Sequence, residues 1–228
     1  MRKRTNIDPK AVIFDMDGVF VDTGPQHYAA RHKLFAEVGH DFSVEEFRST
    51  FGQRTIDILR QVLPSFSNGD LQRLDAKKEE YYREIVRQGL EPAPGLLLLL
   101  RDLRARGYRT AIGTAGPSEN VMLILGVLNL KTALDVTITA EDVSRGKPDP
   151  QVFLIAARRL RVAPARSVVI EDAPAGIEAA RTAGMCSIAV ATTHPPEELA
   201  RADVVAKDLV EVTGEMVDWL LEGERDAA

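Results

Sequence analysis

Cysteine is almost absent from this sequence, whose 228 residues include one, Cys186. A single cysteine excludes an internal disulfide and a cysteine-rich metal site. Long apolar runs are also absent, since the run of leucines at 96–100 has five residues, whereas a helix that crosses a bilayer needs about 20. The basic residues 1–4 are not followed by the apolar stretch of a secretory signal. We therefore expect a cytoplasmic protein without membrane association.

An excess of basic charge is missing as well. The chain has 29 lysines and arginines against 34 aspartates and glutamates, which gives a net charge of −5. Proteins that bind nucleic acid or anionic membranes need a concentrated basic surface, so we expect neither partner. The hydrophobic content of 45% is too high for a disordered chain. The length suits one large domain, or one domain with a smaller insertion, and we expect a monomer.

The order of predicted elements changes along the chain. The short apolar run 11–14 predicts a buried strand, and residues 24–90 are then predicted to be helical, with helices beginning at Gln26, Ser43, Thr55 and Asp70. Ser43 and Glu46 have the spacing of a capping box. After a break at 91–95, helices alternate with strands, which is typical of a parallel sheet. The predicted strands cover 11–14, 108–113, 134–139, 167–170, 186–190 and 203–206.

This order predicts an α/β fold, a Rossmann-like parallel sheet core with an inserted all-helical cap domain. The core domain would comprise residues 1–23 and 92–228, and the cap domain residues 24–91. Ligands of such sheets bind at the carboxyl ends of the strands. Because the insertion directly follows the first strand, we expect the cap to cover that end like a lid.

Two aspartates follow the first predicted strand, in the segment Asp15-Met16-Asp17-Gly18. Side chains two positions apart in an extended segment point the same way, so Asp15 and Asp17 are expected to face one volume. Their mutual repulsion calls for a cation or a shared proton, and a carboxylate is a competent nucleophile towards phosphorus. Gly18 allows a sharp turn that exposes amides to an anion. A plain strand end with turn-forming residues is the alternative.

Groups suited to holding phosphate follow later elements. Thr114 ends the second predicted strand, and its hydroxyl, with the amides of Ala115 and Gly116 before the next helix, would hold phosphate oxygens. Lys147 lies in a loop that two prolines and a glycine make rigid, from which its ammonium would reach a phosphoryl group. The alternatives are a threonine N-cap and a solvated turn lysine.

Glu171 and Asp172 end the fourth predicted strand, and adjacent carboxylates suit Mg²⁺, which prefers oxygen ligands. Asp172 as the N-cap of the next helix is the alternative. Polar groups at four successive strand ends are nevertheless arranged in an order that would let them converge. Together they supply a nucleophile, an acid–base group, a hydroxyl, a lysine and metal ligands, which phosphoryl transfer requires.

These motifs resemble those of the haloacid dehalogenase (HAD) superfamily, in the branch whose helical cap is inserted after the first strand. The resemblance extends from about residue 11 to about residue 212. As a set, the motifs are specific for the superfamily and much less specific for the substrate. The matching segments are Asp15-Met16-Asp17-Gly18-Val19, Thr114, Gly146-Lys147-Pro148-Asp149-Pro150 and Ile170-Glu171-Asp172-Ala173-Pro174-Ala175-Gly176-Ile177.

The resemblance implies a role for each catalytic residue. Asp15 would be the nucleophile that takes the phosphoryl group, and Asp17 the general acid to the leaving group and then the base for water. Thr114 and Lys147 would hold the phosphate. Relatives that break carbon–halogen bonds lack the second aspartate, and relatives that cleave phosphonates replace the Asp-Gly step, so Asp17 and Gly18 argue against both activities.

The resemblance also implies a Mg²⁺ cofactor. Its ligands would be Asp15, Asp172 and the backbone carbonyl of Asp17. Glu171 would be either a further ligand or an outer partner of the metal, and the sequence leaves both roles open.

A closer resemblance is to sugar-phosphate phosphatases and β-phosphoglucomutases. Thr23 and His27 match residues that adjoin the acid–base aspartate in the mutases, and Lys78 matches a cap lysine that binds the distal phosphate of the substrate. Arg54 lies two residues after a glycine, whereas the mutase pattern places its arginine three after, where this chain has Thr55. That departure counts against a mutase. An exposed histidine and a solvated lysine are the alternatives for His27 and Lys78.

Three functions are compatible with these features. The first is a Mg²⁺-dependent phosphatase that acts on a small phosphorylated metabolite, a sugar phosphate. The second is a β-phosphoglucomutase-like isomerase that moves phosphate between C1 and C6 of a sugar. The third is a catalytically silent binding module on the same fold, against which the complete set of catalytic residue types argues.

Overall fold

The computed structural model describes residues 8–50 and 55–223. The chain divides into two compact units, one formed by Met1–Asp22 with Glu91–Ala228 and the other by Thr23–Leu90. The chain therefore leaves the first unit after a single strand and returns to it at Glu91.

Parallel strands form the centre of the first unit. They are β1 (Ala11–Phe14), β2 (Arg109–Gly113), β3 (Val136–Ile138), β4 (Ser167–Glu171), β5 (Cys186–Val190) and β6 (Val204–Ala206). Within the described residues they make one sheet in the order β3-β2-β1-β4-β5-β6. β1 pairs with β2 on one side and with β4 on the other, so the strand order reverses there. Ligands of α/β sheets bind at such a switch point.

The second unit is helical in its described part. Its helices are α1 (Gly24–Glu37), α2 (Val44–Ser49), α3 (Thr55–Val62) and α4 (Asn68–Val86). The capping box at the start of α2 is present, since the Ser43 hydroxyl accepts from the Glu46 amide and the Glu46 carboxylate accepts from the Ser43 amide. The unit has its own core of buried apolar side chains: Leu34, Phe35, Phe42, Ile58, Leu59 and Leu71.

Helices also pack against the sheet of the first unit. They are α5 (Leu96–Ala105), α6 (Ser118–Val127), α7 (Gln151–Leu160), α8 (Pro174–Thr182) and α9 (Gly214–Glu222). Every residue of β1, β4 and β5 is buried, which is typical of parallel strands covered on both faces. Phe153 of α7, for example, joins Ile13 and Val169 in one core cluster. Across residues 8–50 and 55–223, every helix is too short or too polar for a bilayer span.

The predicted fold class is confirmed, and the bounds of the predicted strands differ from the observed ones by two residues at most. Two helices begin earlier than predicted. α1 starts at Gly24 rather than Gln26 because a proline, Pro25, is tolerated in the first turn of a helix. α4 starts at Asn68 because the Ser67 side chain caps it by accepting from the Asp70 amide.

Asp218 anchors α9 to the beginning of the sheet. Its carboxylate accepts from Lys10 Nζ over 2.9 Å, from the Tyr108 hydroxyl over 2.6 Å and from Arg106 Nη1 over 2.8 Å. The hydrogen bond from Tyr108 is the main reason that the pKa of Asp218 falls to about 2, and the bonds from Lys10 and Arg106 lower it further against the opposing effect of burial. A carboxyl group with a lowered folded-state pKa stabilises the fold above its unfolded pKa, and this stabilisation is lost as the pH falls towards the folded value.

We expect Asp218→Asn to lower the free energy of unfolding at pH 7 by about 1–2 kcal/mol, because charged hydrogen bonds are lost at a partly exposed site. The difference between the two free energies of unfolding should become smaller as the pH falls from about 4 towards 2, because the wild-type carboxylate is then protonated and loses its charge. Urea unfolding followed by circular dichroism at pH 7, 4 and 3 measures both effects.

Glu222→Gln is the matched control, since Glu222 also pairs with Lys10 but has a side chain that is 63% exposed. Its effect should stay below about 0.5 kcal/mol. An Asp218→Asn variant as stable as wild type at pH 7 would contradict the anchoring role of Asp218.

Candidate active site

Asp15 lies at the switch point of the sheet, immediately after β1. Its amide donates to the carbonyl of Ile170 in β4 over 2.9 Å, which continues the pairing of the two strands. The chain then turns tightly, with the Gly18 amide donating to the carbonyl of Val21 over 2.8 Å and Gly18 at a φ of +80°. A Cβ atom on Gly18 would lie 2.0 Å from Oδ2 of Asp172. Glycine is therefore required here both by the backbone angle and by the neighbouring carboxylate.

Lys147 connects two carboxylates of the site. Its Nζ lies 2.6 Å from Asp15 Oδ1 and 2.5 Å from Glu171 Oε1. Burial alone would lower the pKa of Lys147, but the charges of Asp15 and Glu171 outweigh it and raise that pKa above its ordinary value. The ammonium group therefore stays charged, and the loop before α7 supplies a permanent cation to Asp15.

Both carboxylate oxygens of Glu171 have protein partners. Oε1 accepts from Lys147, and Oε2 accepts from the amides of Asp172 and Ala173 over 2.8 and 2.9 Å. Glu171 is 1% exposed, and a Cβ atom on Gly176 would lie 1.7 Å from its Oε1. This geometry suits an outer partner that fixes Lys147 and the turn after β4 better than it suits a direct metal ligand.

Asp15, Glu171 and Asp172 bring carboxylate oxygens within 4.8 Å of one another, and all three residues are buried. When all three groups are ionised, the single positive charge of Lys147 leaves an excess of two negative charges. Burial is the main cause that raises the pKa of Asp15 and of Asp172, and the neighbouring carboxylates raise both further. A divalent cation would cancel the excess charge, and buried carboxylate oxygens are the donors that Mg²⁺ prefers.

Hydrogen bonds take up one oxygen of each aspartate in this cluster. Oδ1 of Asp15 accepts from Lys147, and Oδ2 of Asp172 accepts from Thr193. Among residues 8–50 and 55–223, no hydrogen-bond donor reaches the second oxygen of either aspartate, which leaves both for a metal ion. Asp17 is half-buried, and its side chain lies outside this cluster of described carboxylates. Its charge adds to the rise in the pKa of Asp15 that burial and Glu171 produce.

The sequence predicts phosphate-holding groups in the loop after β2. Some polar groups in and next to this loop are already hydrogen-bonded within the protein. Thr114 is buried, and its Oγ1 accepts from the Gly116 amide over 3.0 Å, while Ala115 between them is exposed. The first amide of α6, at Ser118, donates to both oxygens of Glu141 over 3.1 and 3.0 Å. A carboxylate of the chain therefore occupies the first amide of α6, close in sequence to the amides of Ala115 and Gly116 that were predicted to hold phosphate.

A segment that the sequence analysis did not single out also borders the site. Thr192 and Thr193 follow β5, and the Thr192 hydroxyl donates to the carbonyl of Gly18 over 2.5 Å. The Thr193 hydroxyl donates to Oδ2 of Asp172. The sequence could have indicated this segment, because β5 is a parallel strand and polar residues at its carboxyl end reach the same edge of the sheet.

The helical unit contains a buried cluster around Lys78, which is 2% exposed. Its Nζ lies 2.9 Å from Nδ1 of His27 and 2.8 Å from Oε1 of Glu79. Because an ammonium group only donates, Nδ1 of His27 accepts this hydrogen bond. The His27 ring stacks on Tyr82 with centroids 4.2 Å apart. The alternative of an exposed histidine and a solvated lysine is therefore wrong.

Thr23 and Arg54 are the other substrate-binding candidates of this segment. Thr23 is buried before the start of α1, and its carbonyl accepts from the amide of His27 over 2.9 Å. Arg54 lies outside the described residues. The structure thus places Thr23, His27 and Lys78 in one unit.

The fold and the site define a class of protein: a parallel α/β core with a helical insertion after its first strand, and a buried aspartate held by lysine at the switch point. A model of the haloacid dehalogenase-like hydrolases matches residues 12–190. The chain belongs to this family, and the resemblance inferred from the sequence is confirmed.

Relatives of the chain include phosphatases and a phosphomutase. The chain is 36% identical over 206 residues to the validoxylamine A 7'-phosphate phosphatase of Streptomyces hygroscopicus subsp. limoneus, covering 89% of this chain and 95% of that protein. It is 31% identical over 221 residues to the β-phosphoglucomutase of Bacillus subtilis, covering 92% and 95%. The crystal structure of β-phosphoglucomutase from Clostridium difficile matches with a TM-score of 0.83 at 30% identity, covering 94% and 97%. The predicted enzyme class, a phosphatase of this family, is confirmed.

We expect Gly176→Ala to lower the free energy of unfolding by about 1–3 kcal/mol, the usual range for overpacking a rigid site. The added methyl group would overlap Glu171, which Lys147 and two amides hold in place. Urea unfolding measures the loss. Gly69→Ala is the matched control because the atom nearest to its added Cβ is 3.8 Å away, and its stability should equal or slightly exceed that of wild type. A Gly176→Ala protein as stable as wild type would show that Glu171 moves freely.

Proposed function

We propose that this protein is a Mg²⁺-dependent phosphatase that hydrolyses a small phosphorylated metabolite, of the sugar phosphate class, through an aspartyl-phosphate on Asp15. The observation that carries the proposal is the pairing of buried Asp15 with Lys147, beside the carboxylates of Glu171 and Asp172. Relatives support the substrate class, since they include a phosphorylated carbohydrates phosphatase and a fructose-1-phosphate phosphatase.

In the first half of the reaction, a carboxylate oxygen of Asp15 attacks phosphorus, and the bond from phosphorus to the sugar oxygen breaks. Asp17, which is half-buried and lies two residues after the nucleophile, donates a proton to that leaving oxygen as the general acid. The products of this step are the free sugar hydroxyl and the phosphoryl group on Asp15.

In the second half, water attacks the phosphorus of the aspartyl-phosphate, and the bond to the Asp15 oxygen breaks. Asp17, now ionised, takes a proton from that water. Inorganic phosphate leaves, and Asp15 and Asp17 return to their initial protonation states. One residue thus serves as acid and then as base.

Lys147 and Thr114 would hold the phosphoryl oxygens during both steps, with the amides of Ala115 and Gly116. Lys147 is already aimed at Asp15 Oδ1 over 2.6 Å, so its charge would oppose the negative charge that builds up on the transferring group. Thr114 would exchange its bond with the Gly116 amide for one with phosphate, which frees that amide as a second donor.

The free oxygens of Asp15 and Asp172, with the backbone carbonyl of Asp17, would hold Mg²⁺. The ion would supply charge neutralisation between substrate phosphate and the carboxylates, and a fixed geometry for both. Glu171 would act one step further out by holding Lys147 and the turn after β4.

Substrate recognition is assigned to the helical unit, through Thr23, His27, Lys78 and Arg54. Lys78 and His27 are bonded to each other, so they would act on a polar substrate as a pair. We also retain the expectation of a monomer in the cytoplasm, in keeping with the single buried cysteine, Cys186.

A phosphomutase is the second candidate, favoured by the likeness to the β-phosphoglucomutases of Bacillus subtilis and Clostridium difficile. It would share the attack by Asp15 but pass the phosphoryl group to a sugar hydroxyl instead of water. The displaced position of Arg54 relative to the mutase pattern argues for the phosphatase.

We expect Asp15→Asn to lower kcat for phosphate release by at least about a thousandfold, because an amide cannot form the covalent intermediate. Its melting temperature should stay at the wild-type value or rise, since one of the repelling carboxylates is removed. Asp41→Asn, an exposed aspartate of the helical unit, is the control and should keep full activity. Residual turnover above a tenth of the wild-type value would refute the assignment of Asp15 as the nucleophile.

A panel of phosphorylated sugars and sugar alcohols should show Mg²⁺-dependent release of inorganic phosphate. Excess EDTA should abolish it and added Mg²⁺ restore it, because the carboxylate cluster carries uncompensated charge. β-Glucose 1-phosphate with a trace of the 1,6-bisphosphate separates the two candidates, since glucose 6-phosphate as product would identify a mutase and free phosphate a phosphatase. Turnover insensitive to EDTA would remove the metal from the proposal.

A further inference from the structure

The turn after β5 bonds to both loops that flank Asp15. Thr192 Oγ1 donates to the carbonyl of Gly18 over 2.5 Å, in the loop that follows β1. Thr193 Oγ1 bonds to Oδ2 of Asp172 and lies 3.2 Å from the carbonyl of the same residue, in the loop that follows β4. These loops are far apart in sequence, and the turn links them.

The hydroxyl of Thr193 has one proton and three possible acceptors within reach, which are Oδ2 and the carbonyl of Asp172 and Nδ1 of His194. The carboxylate Oδ2 of Asp172 is the strongest acceptor and the closest one, so the proton goes to the carboxylate. Nδ1 of His194 lies 3.1 Å from the carbonyl of Asp172 and 3.0 Å from Thr193 Oγ1. Because a carbonyl only accepts, Nδ1 carries a proton, and His194 holds the backbone of Asp172 while Thr193 holds its side chain.

Close packing against Gly18 also restricts the Asp172 carboxylate. An added Cβ on Gly18 would lie 2.0 Å from Asp172 Oδ2 and 2.9 Å from Thr193 Cγ2. The carboxylate and the threonine methyl group therefore fill the space that the missing side chain of Gly18 leaves. Asp172 is 4% exposed, so little room remains for another rotamer while the Thr193 bond is intact.

We infer that Thr193 is a positioning residue for the metal ligand Asp172. Its hydroxyl engages Oδ2, fixes the carboxylate plane and leaves Oδ1 for the cation. The inference rests on the proposed function because it concerns the proposed Mg²⁺ site. Outer partners of metal ligands are worth about 10–100-fold in metal affinity.

Isothermal titration of the metal-free, full-length protein with MgCl₂, without substrate, tests the inference. Thr193→Val, which keeps the shape but loses the donor, should raise the Kd for Mg²⁺ about tenfold. Thr193→Ser keeps the donor and should stay within about twofold of wild type. In phosphate-release assays, Thr193→Val should need more Mg²⁺ for half-maximal activity, with kcat at saturating Mg²⁺ close to wild type.

Thr213→Val is the matched control, since it removes a threonine hydroxyl that caps α9 and should leave the Kd for Mg²⁺ unchanged. Should Thr193→Val fail to fold, Thr193→Ala also lacks the hydroxyl, adds no bulk and has the same expected Kd.

A wild-type Kd in Thr193→Val, or a Thr193→Ser protein as impaired as the valine variant, would overturn the inference and leave the phosphatase intact. A wild-type protein that binds no Mg²⁺ would also overturn it. If the Kd changes as expected but no sugar phosphate is hydrolysed, the inference stands and the proposed function fails.

Discussion

The negative charge held around Lys147 is the constraint on which the rest of the site depends. Three buried carboxylates have oxygens within 4.8 Å of one another, and buried groups of this kind repel strongly or bind protons. Hydrogen bonds from Lys147 to Asp15 and Glu171 offset part of this repulsion. The negative charge that Lys147 does not balance favours the binding of a cation. The fold and the proposed metal site are therefore connected through one local imbalance of charge.

Much of this arrangement could be predicted because a parallel sheet imposes it. Asp15 and Asp172 follow β1 and β4, which are hydrogen-bonded neighbours, so their positions after apolar strands were sufficient to place them together. Lys147 was harder, since it lies in a loop before α7, but two prolines and a glycine marked that loop as rigid. The family resemblance then supplied roles that composition and spacing alone could not.

The features that the sequence did not predict depend on side-chain directions in loops. Nothing in the spacing of Ser118 and Glu141 indicates that the carboxylate caps α6, and nothing in the sequence around Lys78 shows that the lysine is buried against His27. The contact of Thr193 with Asp172 could not be predicted either, because it depends on the path of the chain after β5. Strand ends can be derived from periodicity, whereas the partners of individual polar groups there require coordinates.

The overlap that a methyl group on Gly176 would make with Glu171 has an evolutionary consequence. The two positions, five apart in the chain, share one volume, so neither can change alone without loss. A lineage could exchange Gly176 only after shortening Glu171, and it would then lose the group that holds Lys147. Drift at this turn is therefore restricted by geometry in addition to any selection on catalysis.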